Sequence, residues 1–254
     1  MFTRILSVFS LCLASIAVWA QNNHPANFDY EDSTKQLANL IKYPKEVSGK
    51  VSLILSCVSR VQASGSMKNT GCYQNNQYEQ AFAAAVTKAA KKARMNPAIV
   101  DGKPAEIYLQ FRIEFIREAA VKKKKEEEGD EKKKKKKDEK PVENVGQVHL
   151  YLNPGYEENV LEYGYEHIAG QRVIGKKEPW NDVCPNHARY SVWVRAYLSE
   201  EGKAESPTVE FGNGIHPIAN CIDAIEETII ASRYTPAIAE GVPVPSTYIE
   251  VFSN

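Results

Sequence analysis

The chain has 254 residues, 43% of them hydrophobic, and its 32 basic residues balance 32 acidic ones to a formal net charge of zero. That length excludes a mini-protein and allows one large or two small domains, while the composition excludes a wholly disordered or collagen-like chain. With no net charge, no global field draws the protein toward nucleic acid or anionic lipid.

Arg4 precedes an apolar stretch from Ile5 to Val18, and Val18 and Ala20 stand three and one positions before Gln21. This is the pattern of a cleavable secretory signal, so residues 1–20 are expected to be removed and the mature chain to be periplasmic. The stretch is shorter than the ~20 apolar residues that span a bilayer, and no basic cluster follows it as a stop signal. Cys12 leaves with the signal, and Cys57, Cys72, Cys184 and Cys221 remain as an even set. In an exported protein that set is expected to form two disulfides.

A lead-in segment, 21–42, precedes the first module, 43–120. There Val51, Leu53, Leu55 and Cys57 alternate as one face of a strand, a polar turn covers Ala63–Asn69, and a return strand runs through Cys72. Tyr78, Phe82, Ala85, Ala89 and Ala93 form a helical stripe. Pro97 ends that helix, and Gly102 turns the chain into a last strand, Ile107–Phe115. Folding the hairpin back near Gly65 brings Cys57 opposite Cys72.

A charged linker, 121–145, follows. Its centre, Lys122–Lys140, holds 11 Lys, 7 acidic residues and one Gly, and nothing in it can be buried. No aromatic residue interleaves those lysines, which argues against nucleic-acid binding. The second module, 146–254, begins with extra strands suggested by Val148–Leu152 and Val160–Tyr165. Tyr151, Tyr156, Tyr163, Tyr165 and Trp180 there are read as packing between the halves. Val192, Val194, Ala196 and Leu198 then share a face, Glu200-Glu201-Gly202 turns, and Thr208–Phe211 returns. A helix with Ile218, Ile222, Ile225 and Ile229 in one stripe leads through Pro236 and Gly241 to the strand Thr247–Phe252. Cys184 lies before this hairpin and Cys221 after it, so the two are expected to meet.

The halves repeat one another. Arg94-Met95-Asn96-Pro97-Ala98-Ile99 and Asp101-Gly102-Lys103-Pro104 align without a gap on Arg233-Tyr234-Thr235-Pro236-Ala237-Ile238 and Glu240-Gly241-Val242-Pro243, a shift of 139 from Arg94 to Arg233. The same shift lays Val51–Leu55 over Tyr190–Val194. Each copy thus reads strand, strand, helix, strand, and the fold class is α+β with two tandem modules, each a small antiparallel sheet packed on a helix.

Tyr43-Pro44, Gly49-Lys50-Val51, the Ala-rich helix and the Asn-Pro-Ala…Asp-Gly-Lys-Pro loop resemble the C-terminal domain of TonB-family energy transducers. The second copy is similar to the same domain through Tyr234-Thr235-Pro236-Ala237 and Glu240-Gly241-Val242-Pro243. The resemblance covers about Tyr43–Phe115 and Pro185–Asn254. It implies a module whose sheet edge binds an extended segment of an envelope protein or peptide, such as the box of an outer-membrane receptor. The family's anchored transducers keep a functional His in an uncleaved anchor and a Pro-rich spacer behind it; Phe2–Ala20 contains no His, and no such spacer follows.

The function expected is therefore a non-enzymatic periplasmic interaction module that binds by strand addition. Its expected edge is the last strand, Thr247, Tyr248, Ile249, Glu250, Val251 and Phe252. Two alternatives stand beside it: a membrane-anchored energy transducer for receptor-mediated uptake, and a zinc-binding domain on Cys184, His187, His216 and Cys221. No Gly-x-Ser-x-Gly, HExxH or phosphate-cradling loop occurs in the chain, so no catalytic residue, cofactor, metal or small-molecule substrate is expected.

Overall fold

The computed structural model describes residues 23–45, 47–118, 146–152, 167–175, 183–184, 192–212 and 219–252. The expected signal, the Lys/Glu tract, the strand Val160–Tyr165, Trp180, His187, His216 and Ile218 lie outside the described residues.

After a 3-10 turn at Ser33–Lys35 and one helical turn α1, Leu37–Leu40, the chain enters strand β1, Val51–Val61. Val51, Leu55, Cys57, Ser59 and Val61 are buried along one face, as the alternation requires. The hairpin closes on Gly65, whose φ of 76° suits glycine and whose amide donates to the Gln62 carbonyl. Strand β2, Met67–Cys72, returns antiparallel with Cys57 directly opposite Cys72.

Helix α2, Gln77–Ala90, starts at an N-cap Asn76 whose side chain accepts from the Glu79 amide at 3.0 Å, while the Glu79 carboxylate accepts from the Asn75 amide at 2.6 Å. This capping satisfies one amide that the first turn leaves without a helical partner and, in return, the amide of Asn75 just before the cap. Asn76→Ala should therefore lower stability by about 1 kcal/mol, measured as a smaller urea midpoint at unchanged slope.

Past the helix, strands β3, Ala98–Val100, and β4, Lys103–Ala105, form a tight hairpin around Asp101 and Gly102, both at positive φ. An Asp-Gly pair is well suited to such a two-residue turn. Strand β5, Ile107–Arg117, then pairs with β1 along all eleven residues. Beyond it, β6, Gln147–Tyr151, pairs with the far half of β5, and the two-residue β7, Arg172–Val173, pairs with its start. The extra strand near Val148–Leu152 thus extends the first sheet, whose order is β2-β1-β5-β6.

The same order of elements recurs: β8, Val192–Leu198; β9, Ala204–Phe211; α3, Ala219–Ala231; a hairpin of β10, Ala237–Ala239, and β11, Val242–Val244; and β12, Ser246–Phe252. Their sheet has the order β12-β8-β9. The molecule is α+β with antiparallel sheets, and each ββαβ unit encloses its own hydrophobic core.

Repetition extends to irregularities. A bulge interrupts pairing between Val58 and Arg60 in the first hairpin and between Arg195 and Tyr197 in the second, with Asn69 and Ser206 each at φ 50° opposite it. Val61 pairs with Ile107 as Leu198 pairs with Ser246, so the first strands correspond at a shift of 137. The shift of 139 read from the sequence holds for the later part of each unit, and two residues are absorbed between hairpin and helix. Placing Val51–Leu55 over Tyr190–Val194 is corrected accordingly: Leu55 lies over Val192.

The helical stripes are also rotated from their expected centres. On α2 the buried set is Phe82, Ala83, Val86, Ala89 and Ala90, while Tyr78 is 44% exposed. On α3 it is Cys221, Ala224, Ile225, Thr228 and Ile229. Each stripe is wide enough to admit small and polar residues beside the large apolar ones, and a purely apolar template skips them.

Candidate interaction site

Both pairs of cysteines expected to meet are joined as disulfides, Cys57–Cys72 and Cys184–Cys221. They occupy different places in the two units. Cys57–Cys72 links β1 to β2, where the second unit has Val194 opposite Val209. Cys221 stands on α3 where α2 carries Phe82, whose ring packs 4.7 Å from Phe115 and 5.6 Å from Tyr43. Each unit is thus stapled where the other relies on apolar packing. Breaking Cys57–Cys72 by paired Ser substitution should cost about 3 kcal/mol for its 15-residue separation, read in urea unfolding. The Cys184–Cys221 bond consumes both thiolates of the zinc alternative. Among the described residues no group of three metal-ligating side chains converges.

The expected binding edge, Thr247–Phe252, pairs along its length with β8. Its other side is already engaged: the Tyr108 hydroxyl donates to the Val251 carbonyl at 2.9 Å, and the Gln110 amide donates to the Ile249 carbonyl at 2.7 Å. Alternate carbonyls of a strand point to one side, so β5 side chains occupy two hydrogen-bonding positions on this side of β12. Ile249 and Val251 are buried as well. A strand added at β12 would first have to displace Tyr108 and Gln110.

This contact belongs to a seam between the units. Residues 167–174 lie in it, bonded on one side to the second unit through the Ile168–Ile238 bridge and the Val173 amide to the Arg233 carbonyl. On the other side Arg172 and Val173 pair with Tyr108 and Ile107, and the Ile174 amide donates to the Glu106 carbonyl. Within the seam the Arg172 guanidinium makes two 2.7 Å bonds to the two carboxylate oxygens of Glu250, and Arg172 is 3% and Glu250 0% exposed. The Tyr248 hydroxyl also donates to Glu250. Such bidentate, charge-assisted geometry supplies what two desolvated charges need. A pocket lined by Tyr108, Gln110, Gly170, Gln171 and Tyr248 encloses about 10 Å³, room for about one water rather than a ligand.

Burial, followed by the nearby Glu250 charge, holds the Tyr248 hydroxyl well above the ordinary phenol range, and the same causes raise Tyr108. Both therefore remain protonated donors when the unfolded chain begins to ionise near pH ~10. The folded state then binds more protons than the unfolded one, so stability falls as pH rises from there toward the folded values. Tyr248→Phe should make the decline of the urea midpoint between pH 9.5 and 11 shallower than in the wild type; an unchanged slope would remove the phenol from the account.

The second sheet also presents an exposed face. Alternation along β8 buries Val192, Val194, Ala196 and Leu198 and turns Trp193, Arg195 and Tyr197 outward, with Trp193 46% and Tyr197 43% exposed. Glu210 and Glu205 of β9 stand opposite these two aromatic residues and share their face. Among the described residues, no strand pairs with the outer side of β9. Ser206 at positive φ and Pro207, which lacks an N–H, blunt its first half, as sheet edges often are. Thr208–Phe211 is the regular stretch that remains. The outward set was legible in the alternation of β8; the Arg172–Glu250 pair was not, because its members are 78 residues apart and no motif joins them. Comparison with known proteins finds no matching family model, no matching curated protein and no matching solved structure.

Proposed function

We propose that this is a non-enzymatic, TonB-like interaction protein of the periplasm, exported by removal of residues 1–20, which binds an extended segment of an envelope protein by strand addition. The twice-repeated ββαβ order supports this reading, as does the presence of two disulfides, which suits an exported chain. The observation that carries it is the outer side of β9 at Thr208–Phe211, beside the exposed Trp193 and Tyr197. There main-chain groups would supply affinity and the aromatic rings would select the side chains of the partner. This edge replaces Thr247–Phe252 as the favoured position, because two carbonyls of β12 are already engaged by the first unit.

The test places a photoreactive side chain at Glu210, at Thr247 or at Ser52 in the full chain, expressed in its own envelope. A discrete adduct from Glu210, weakened by Trp193→Ala with Tyr197→Ala, is the expected result. Adducts from Thr247 alone would return the site to β12, and none from either position would end the strand-addition reading. Intact mass of the same protein is expected to correspond to a chain beginning at Gln21 with no free thiol; a chain retaining residues 1–20 would favour the anchored transducer.

A further inference from the structure

The repetition takes in residues that precede the first module, 43–120, and residues near the start of the second, 146–254. Residues 24–28 lie along the first unit as residues 168–172 lie along the second. His24 and Ile99 exchange backbone bonds as Ile168 and Ile238 do, and the Asn96 amide donates to the Asn27 carbonyl as the Thr235 amide donates to that of Gln171. The correspondence is a shift of 144 for these lead-in segments and 139 for the segments they pair with, from Asn27 to Gln171 and from Asn96 to Thr235. Phe28 then corresponds to Arg172, and Phe111 to Glu250. In the first unit Phe28 and Phe111 meet edge to face at 5.4 Å; in the second the same two positions hold the buried ion pair. Since an aromatic pair fills this place in one unit, an ion pair there is not a requirement of the fold.

We infer that Arg172 and Glu250 form a pairing key that assigns each lead-in segment to its own unit. The two segments are neighbours: the Ala26 amide donates to the Gln171 side-chain oxygen at 2.7 Å, and the Gln171 side-chain amide donates back to the Ala26 carbonyl at 2.9 Å. Three backbone bonds are common to the two units and do not tell the segments apart. Beyond them, the Asn27 amide donates to the Asn96 carbonyl where the Gln171 amide donates to the Thr235 hydroxyl, and the Val173 amide donates to the Arg233 carbonyl where that of Asp29 donates to the Asn27 side chain. An exchange would put Arg172 against Phe111 and Phe28 against Glu250, leaving each buried charge without its counter-ion and Glu250 with only the Tyr248 hydroxyl, which is a strong penalty against the wrong pairing. Gly170 adds a steric filter in one direction, because a Cβ there would meet the Leu198 side chain at 2.0 Å and the Thr235 carbonyl oxygen at 2.8 Å. Ala26 in that place would clash, whereas Gly170 in the place of Ala26 would not.

The test reads the exchange that the glycine permits, the second lead-in on the first unit. The full chain carries either Ile168→Cys with Ile99→Cys, which reports the wrong pairing, or Ile168→Cys with Ile238→Cys, which reports the right one. Each is refolded from urea with the native disulfides intact, closed with a mild oxidant, and read by intact mass and peptide mapping. The wrong pair is expected to close rarely in the otherwise native chain. It should close at least about tenfold more often when Arg172→Phe and Glu250→Phe give both units an aromatic key, or when Phe28→Arg and Phe111→Glu give both an ionic one. The inference is overturned if both altered proteins close the right pair in full and neither raises the wrong one. It is equally overturned if neither altered protein folds, since the positions would then be structural requirements rather than a key.

Discussion

Replacing Arg172 by alanine is expected to lower stability by roughly 3–5 kcal/mol, among the largest effects of any single substitution in the chain. The loss follows from what is left behind. Glu250 is fully buried, and without the guanidinium its carboxylate keeps the Tyr248 hydroxyl but loses both charge-assisted bonds at a buried position. Replacing both residues by phenylalanine should cost far less than the single change, because the equivalent positions in the first unit already hold Phe28 and Phe111 at edge-to-face separation, and buried ion pairs often exchange for apolar groups with little loss. Urea unfolding of the wild type, the single variant and the double variant decides the matter. A single variant within about 1 kcal/mol of wild type would mean that the pair is as weak as a surface salt bridge. The exposed Asp101–Arg233 pair, which joins the two units, provides that internal comparison.

Gly65→Ala is expected to cost roughly 3 kcal/mol or more, and Gly241→Ala about 1 kcal/mol, although both glycines have nearly the same positive φ. The φ values are 76° and 80°, so both substitutions incur the strain of a left-handed residue. Only at Gly65 does a Cβ also run into backbone, at 2.1 Å from the Met95 carbonyl oxygen; at Gly241 nothing lies within 4 Å. The Met95 amide bonds the Gly65 carbonyl, so that segment cannot retreat without losing the contact between hairpin turn and helix exit. Gly202 repeats the arrangement against the Tyr234 carbonyl oxygen at 2.7 Å. Its substitution should fall between the other two. Equal midpoints for Gly65→Ala and Gly241→Ala would show that conformation alone, without the close approach, sets the cost.

Much of the ββαβ order was legible because its signals are local. Alternation over Val51–Cys57 and Val192–Leu198, the prolines after each helix, and the Asp-Gly and Glu-Gly turns each act within a few residues, and the structure contains the elements they announce. Pairing of Cys57 with Cys72 followed from folding one hairpin at Gly65. What was not legible depended on encounters between distant segments. The outer side of β12 reads as an edge until Tyr108 and Gln110, more than 130 residues earlier, are seen to bond its carbonyls. The lead-in 21–42 reads as a connector until residues 24–27 are seen to pair with 96–99.

By itself the sequence determined the α+β class, the repeated order of strands and helix, and the partners of four cysteines, since periodicity, turn chemistry and hairpin closure are properties of neighbouring residues. Tertiary structure alone decided which sheet edge is engaged by the other unit and that a carboxylate can be buried where the first unit holds a phenylalanine. Glu250 sits in a strand whose alternation says only which way it points. Whether a charge can remain there depends on a guanidinium delivered from 78 residues away, and desolvation makes that delivery a condition of folding rather than an option.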